Sequence, residues 1–297
     1  MNFDNVLNAL PPHIKSLLKS IPDDTKEITL RVRRPLCVSL GTTYLYVSNL
    51  GNIKTSLEDC YIVSKDDISD TLKIATEYSI HSYKEQINSG FITIKGGHRI
   101  GICGTAFYKD EKIQNISDIS TLNIRIARQQ KGVATEILHR VKGSILIVGA
   151  PSSGKTTLLR DIARQLGSKE KISLIDERGE LACCYNGIPQ NDVGALTDIL
   201  DGYKKSDGMQ IALRTLSPKT IILDEIGNSS DCSSIEESVN SGVKIIATAH
   251  ASSKDELLKR KNIKELIELA FDYIVFLQDA NSPCTIKNIF SKKEFLL

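Results

Sequence analysis

Very little net charge is left over in this sequence: 38 lysines and arginines stand against 36 aspartates and glutamates, a formal +2. That balance removes any global electrostatic pull toward a polyanion or a membrane surface and leaves only local patches to consider. No apolar run approaches the roughly 18 residues needed to cross a bilayer. The opening MNFDNVLNALPPHIKSLLKS has no cationic stretch followed by an apolar one, so a cytoplasmic chain without direct membrane insertion is expected. The seven cysteines, at 37, 60, 103, 183, 184, 232 and 284, form no CxxC and no cysteine–histidine cluster at zinc spacing. Odd in number and scattered, they read as small buried hydrophobes in a reducing compartment. Internal repeats and low-complexity tracts are also missing.

What is present divides the 297 residues into two patterns. From about residue 28 to 128 the apolar residues come in short alternating bursts, ITLRVRRPLCVSL, TTYLYV, FITI, HRIGICGTAF and STLNIRIAR. One helical stretch, roughly 66–86, interrupts them, so a small α+β domain is expected over 1–130. A polar segment with a glycine and one short helix, 131–142, reads as a linker. From 143 to 297 apolar strands alternate with helices: SILIVG, TTLLRDIARQL, KISLID, a helix near 208–216, TIILDE, SSIEESVNSG and KIIATA. Such alternation predicts an α/β domain with a mostly parallel sheet and helices on both faces.

The chemistry begins at GAPSSGKT, residues 149–156, which follows the apolar strand SILIV and opens a helix. Strand, glycine-rich turn and helix are the context a phosphate-binding loop requires. Gly149 and Gly154 let the backbone turn so that successive N–H groups of Ala150, Pro151's neighbours Ser152 and Ser153, and the helix N-terminus at Lys155, Thr156 and Thr157 face phosphate oxygens. Lys155 is expected to bridge the β- and γ-phosphates, and the Thr156 hydroxyl to ligate Mg²⁺. A second piece, TIILDEIGN at 220–228, places Asp224 at the carboxyl end of a buried strand, expected beside the strand that feeds the loop. There Asp224 would hold magnesium through water, and Glu225 would polarise the attacking water.

Three further segments choose among the many enzymes that share those pieces. KISLID runs into ERGE, giving Asp176, Glu177, Arg178 and Glu180; ALRTLSPKTIILDE precedes the acidic pair; and ATAHA puts His250 at a strand end. This order resembles the type II/type IV secretion traffic ATPases, with P-loop, Asp box, an LRxxP-type segment before the acidic strand, and a His box. The N-terminal ITLRVRRPL, GGHRIGICGTA and STLNIRIAR resemble the stage III sporulation AA family, a branch of that superfamily. The resemblance implies a RecA-like fold for the C-terminal domain and ATP with Mg²⁺ as ligands. It also implies a homo-hexameric ring on the mother-cell side of a membrane channel complex. Carried onto this chain, it makes Glu177 and Glu225 alternative candidates for orienting the lytic water, and His250 a γ-phosphate sensor. The Asp box departs from the pattern, because Arg178 and Gly179 follow where a proline is usual.

Phosphoryl transfer gathers negative charge on the γ-phosphate, and guanidiniums neutralise it. Arg99, Arg125 and Arg128 are the candidates from the first domain, which is expected to swing on the linker as nucleotide turns over. Two other classes compete. A RecA-like ATPase acting on nucleic acid would need a basic groove or the RxxxH-type module of some relatives; no arginine here is followed four positions later by histidine, and no stable nucleic-acid partner is expected. A nucleotide-binding scaffold with little turnover would carry the same motifs.

Overall fold

The computed structural model describes residues 3–227 and 229–297. The chain divides into two compact units, Met1–Arg128 and Gln129–Leu297.

In the first unit, α1 (Phe3–Asn8) and α2 (Pro12–Leu17) precede β1 (Glu27–Arg31), β2 (Cys37–Ser39), β3 (Tyr44–Val47) and β4 (Ile53–Lys54). Then come α3 (Lys65–Ala75), α4 (Lys84–Asn88), β5 (Phe91–Ile94), β6 (His98–Lys109) and β7 (Lys112–Arg125). Among the described residues the strands form a seven-stranded antiparallel sheet in the order β4-β3-β2-β1-β7-β6-β5. Its register explains the alternation: Ile28, Ile124, Ile100 and Ile92 line up across four strands and are all buried. The row beside them is Glu27, Arg125, Arg99 and Thr93, on the opposite face.

Two expectations for this unit are corrected. The helix predicted over 66–86 is broken: α3 ends at Ala75, where the Thr76 hydroxyl turns back onto the Leu72 carbonyl, and Glu77 and Tyr78 take left-handed φ angles of 49° and 59°. A single 3₁₀ turn at Ile80–Tyr83 leads into α4. The two short bursts after residue 98 belong to the two strands of one long hairpin, whose outer part, 108–119, the bursts leave unassigned. Asp110 and Glu111, both with positive φ, close it as a two-residue turn.

The second unit contains α5 (Thr135–Arg140), β8 (Ile145–Gly149), α6 (Lys155–Gly167), β9 (Ile172–Asp176), β10 (Thr197–Asp201) and α7 (Lys205–Ile211). A π-helical turn at Ala212–Leu216 leads to β11 (Thr220–Leu223), α8 (Ser229–Asn240), β12 (Lys244–His250), α9 (Lys254–Leu258) and α10 (Lys261–Ala270). It ends with β13 (Tyr273–Leu277), β14 (Ile286–Ser291) and α11 (Lys292–Leu296). The sheet runs β10-β9-β11-β12-β8-β13-β14, parallel from β10 to β13, with β14 antiparallel at the edge. Alternate residues of β8 enter two different cores: Ile145 and Ile147 pack with Leu158 and Ile162 of α6, while Leu146 and Val148 pack with Ile235 of α8 and Ile267 of α10. Burial on both faces is why SILIV reads as a continuous apolar run.

Here too the structure corrects the sequence reading. The acidic strand β11 is not beside β8; β12 lies between them. And the 131–142 segment expected as a linker is built into the second unit, with Ala134, Ile137 and Val141 buried against α6 and the Ala134 N–H donating to Asp161 Oδ2 at 2.8 Å. The change of unit falls between two anchored neighbours. Arg128 donates to the carbonyls of Asp23 and Thr25 in the first unit, and Gln129 exchanges hydrogen bonds with the Asp192 backbone in the second.

Candidate functional site

β8 ends at Gly149 and α6 starts at Lys155, so the intervening turn must reverse the chain within five residues. Gly154 carries that reversal at φ +89°, and a Cβ there would meet the backbone nitrogen and Sγ of Cys284 at 2.6 Å. The neighbouring turn 279–284 packs directly on the loop: Cys284 N–H donates to the Ser153 carbonyl at 2.9 Å. At Gly149 a Cβ would meet the Ser153 hydroxyl and displace it. Gly154 is therefore required both by the backbone contact and by φ.

The loop opens on a cleft of about 390 Å³. Lys155, only 6% exposed, donates to the carbonyls of Gly149 (2.7 Å) and Ala150 (2.8 Å), and its Nζ lies 3.1 Å from His250 Nδ1. Burial pushes its pKa down, opposed by the charges of Asp224 and Glu225. The Thr156 hydroxyl donates to Asp224 Oδ2 at 2.8 Å, across the width of β12. Glu225, held at φ +54°, meets the Arg178 guanidinium at 2.5 Å through Oε2 and His250 Nε2 at 3.3 Å through Oε1. A chain of contacts thus runs Arg178–Glu225–His250–Lys155. Pro151, Ser152 and Thr157 also line the cleft, and Pro283 closes it from the 279–284 turn.

The residues fit a divalent ion of one kind. One hydroxyl and one carboxylate stand together at Thr156 and Asp224, and no group of three or more His, Cys, Asp or Glu able to hold a metal exists among the described residues. Two oxygen ligands suit Mg²⁺, which keeps several waters and takes the rest from phosphate oxygens; they do not suit a resident zinc or calcium cage.

The other expected residues have partners of their own within their units. Asp176 is buried at the end of β9, where its carboxylate accepts the N–H groups of Glu180 (2.7 Å), Leu181 (3.0 Å) and Ala182 (2.8 Å); it caps a turn. Glu177 Oε2 is held by Lys205 Nζ at 2.6 Å and lines a smaller hollow that it shares with Asp224 and Glu225. In the first unit, the Arg128 guanidinium is used on that unit's own carbonyls, Arg99 lies over the Phe91 ring at 4.7 Å, and Arg125 is largely exposed beside Glu27. Sequence reading gave no role to Arg178 or Pro283. Arg178 was visible as the departure in ERGE; Pro283 had no signal, since the turn reaches the loop only through the hairpin of β13 and β14.

A glycine loop joining the first parallel strand to a helix, with its acidic partner two strands away, defines the class of fold: a RecA-like P-loop domain. The family model described as "Sporulation stage III, protein AA" matches residues 3–297, and the chain belongs to that family. It is 34% identical over 304 residues to Stage III sporulation protein AA of Bacillus subtilis (strain 168), covering 97% of this chain and 95% of that protein. It is 30% identical over 165 residues to Protein SEEDLING PLASTID DEVELOPMENT 1 of Arabidopsis thaliana, covering 54% of this chain and 23% of that protein. Among solved structures it is similar to the ATPase DotB of Legionella pneumophila, with TM-score 0.56, 18% identity, and 85% of this chain and 72% of that chain covered. It is similar also to the pilus retraction motor PilT with bound ADP, with TM-score 0.56, 15% identity, and 85% and 74% covered. At that identity the structural likeness speaks for the fold alone. No helix among the described residues is long and apolar enough to cross a membrane.

Proposed function

We propose that this chain is a Mg²⁺-dependent ATPase that works as a ring, a homo-hexamer, on the mother-cell side of a channel complex between mother cell and forespore. The observation that carries the ATPase reading is the convergence of Lys155, Thr156, Asp224, Glu225 and His250 on one cleft at the glycine loop. Membership of the sporulation family supports the cellular setting, and the pilus retraction motor and DotB supply the analogy for a motor.

In this reading Lys155 leaves the carbonyls of Gly149 and Ala150 to meet incoming phosphates, and His250, already beside it, follows the terminal phosphate. Thr156 and Asp224 would hold Mg²⁺, which would supply charge neutralisation to the phosphates. Glu225, rather than Glu177, orients the lytic water, because Glu225 lines the glycine-loop cleft beside His250 while Glu177 lines only the smaller neighbouring hollow. Glu225→Gln is expected to bind ATP and leave it unhydrolysed, with Glu177→Gln retaining turnover, as read by single-turnover phosphate release. The reverse pattern would move the role to Glu177.

The Arg178–Glu225 pair at 2.5 Å favours a second reading, a nucleotide-binding scaffold with little turnover, since it holds the water-orienting carboxylate in an ion pair. Arg178→Ala separates the two: a faster hydrolysis rate fits an ATPase restrained by the pair, and an unchanged background rate fits the scaffold.

A further inference from the structure

Asp224 and Glu225 stand just beyond the sheet. The ladder between β11 and β12 stops at Leu223 opposite Ala247, so both acidic residues lie past the last paired position of their strand. On β12 the chain continues from Ala247 to Thr248, fully buried. Its side chain is on the same face of the sheet as α6, because Ile246, two residues earlier, packs with Leu158 and Ile162. The Thr248 hydroxyl donates to Asp224 Oδ1 and accepts the Glu225 N–H at 2.8 Å, while the Thr248 carbonyl accepts the Ile226 N–H at 2.8 Å. Asp224 meets Thr156 through its other oxygen. One hydroxyl therefore uses its single donor and one acceptor site on the two adjacent acidic residues.

Glu225 needs such a hold. It sits at φ +54°, a left-handed conformation that a non-glycine residue keeps only when its surroundings impose it. A β-branched side chain on a strand is also stiff at χ1, which makes the hydroxyl a fixed reference point.

We infer that Thr248 is a positioning residue that sets both carboxylates of the site: it orients Asp224 toward Thr156 and the metal, and holds the Glu225 backbone so that its carboxylate faces the cleft. This rests on the ATPase reading for its consequence, but the geometry it describes involves only this chain's own residues. The isostere Thr248→Val keeps the shape and removes both hydrogen bonds; Thr248→Ser keeps the bonds and loses only a methyl.

The test combines two readouts on the full chain. Hydrogen exchange at the Glu225 amide, resolved by fragmentation and measured without nucleotide or magnesium, is expected to accelerate in Thr248→Val and to match wild type in Thr248→Ser, with Ile226 unchanged in both. Titration of MgCl₂ into each protein with a fluorescent ATP analogue is expected to show a Mg²⁺ midpoint about ten- to a hundredfold higher in Thr248→Val, as for loss of a group that orients a metal ligand. Thr248→Ser restores it, and Mg²⁺-free binding of the analogue is equal in all three. Equal Glu225 exchange and equal midpoints in wild type and Thr248→Val would overturn the inference. Should wild type show no Mg²⁺-dependent binding while Glu225 exchange still responds to Thr248→Val, the positioning role stands and the ATPase reading falls.

Discussion

Asp161 allows a quantitative forecast about what holds the glycine-loop helix in place. It lies in α6, two turns after Lys155, and is fully buried. Its carboxylate accepts from Ala134 N–H (2.8 Å), Arg164 Nε (2.8 Å) and Gln165 Nε2 (2.9 Å), tying the 131–142 segment to the helix. Asp161→Ala leaves a half-buried guanidinium and a buried backbone N–H without their acceptor, at a cost of about 3–5 kcal/mol. For a unit of this size each kcal/mol lowers Tm by about 2–4 °C, so a fall of about 6–20 °C is expected by scanning calorimetry at pH 7. The pH dependence has a definite sign. Burial alone would raise the Asp161 pKa, but the hydrogen bonds from Ala134, Arg164 and Gln165 outweigh it and hold the group below the usual carboxylate range. A depressed folded pKa means that the stabilisation is complete above the unfolded value of about 3.9 and is lost as pH falls through the folded value. The gap between wild type and variant should therefore narrow only below about pH 4. A fall of less than about 2 °C at pH 7, what an exposed ion pair would give, would refute the reasoning.

Other substitutions probe separate links. Gly154→Ala forces a Cβ onto the Cys284 backbone at a left-handed position; it should cost about 1–3 kcal/mol and abolish ATP binding in calorimetric titration. Asp224→Asn should weaken Mg²⁺-dependent nucleotide binding about ten- to a hundredfold while leaving Mg²⁺-free binding intact. Ser64→Ala removes the capping box of α3, in which Ser64 and Asp67 satisfy each other's backbone N–H; about 1 kcal/mol should be lost from the first unit, read as a lower urea midpoint with an unchanged slope.

The glycine loop was legible because its chemistry is local: eight consecutive residues, the strand before them and the helix after them all carry the signal. Asp224 and Glu225 were legible for the same reason. Their surroundings were not, because the order of strands is a property of tertiary packing, and nothing in TIILDE or KIIATA says that β12 separates β11 from β8. Thr248 was hidden by that same gap, since its role depends on which strand it adjoins. Asp176 looked like a member of the site by position, but the turn after β9 claims its carboxylate. The outer part of the β6–β7 hairpin has no buried residue, only exposed and half-buried ones, so the buried–exposed alternation that reveals a strand is weak there. β10, after the irregular 177–196 stretch, was missed because five residues of TDILD flanked by turns are too short to show a period.

The most direct test of the ATPase claim is Mg²⁺-dependent phosphate release from wild type, Lys155→Ala and Glu225→Gln, with light scattering on the same samples with and without ATP. The account predicts hydrolysis by wild type, background rates in both variants, and ATP-driven assembly to a ring. Tight ATP binding by wild type with no phosphate release in any assembly state would contradict it and leave the scaffold reading in its place.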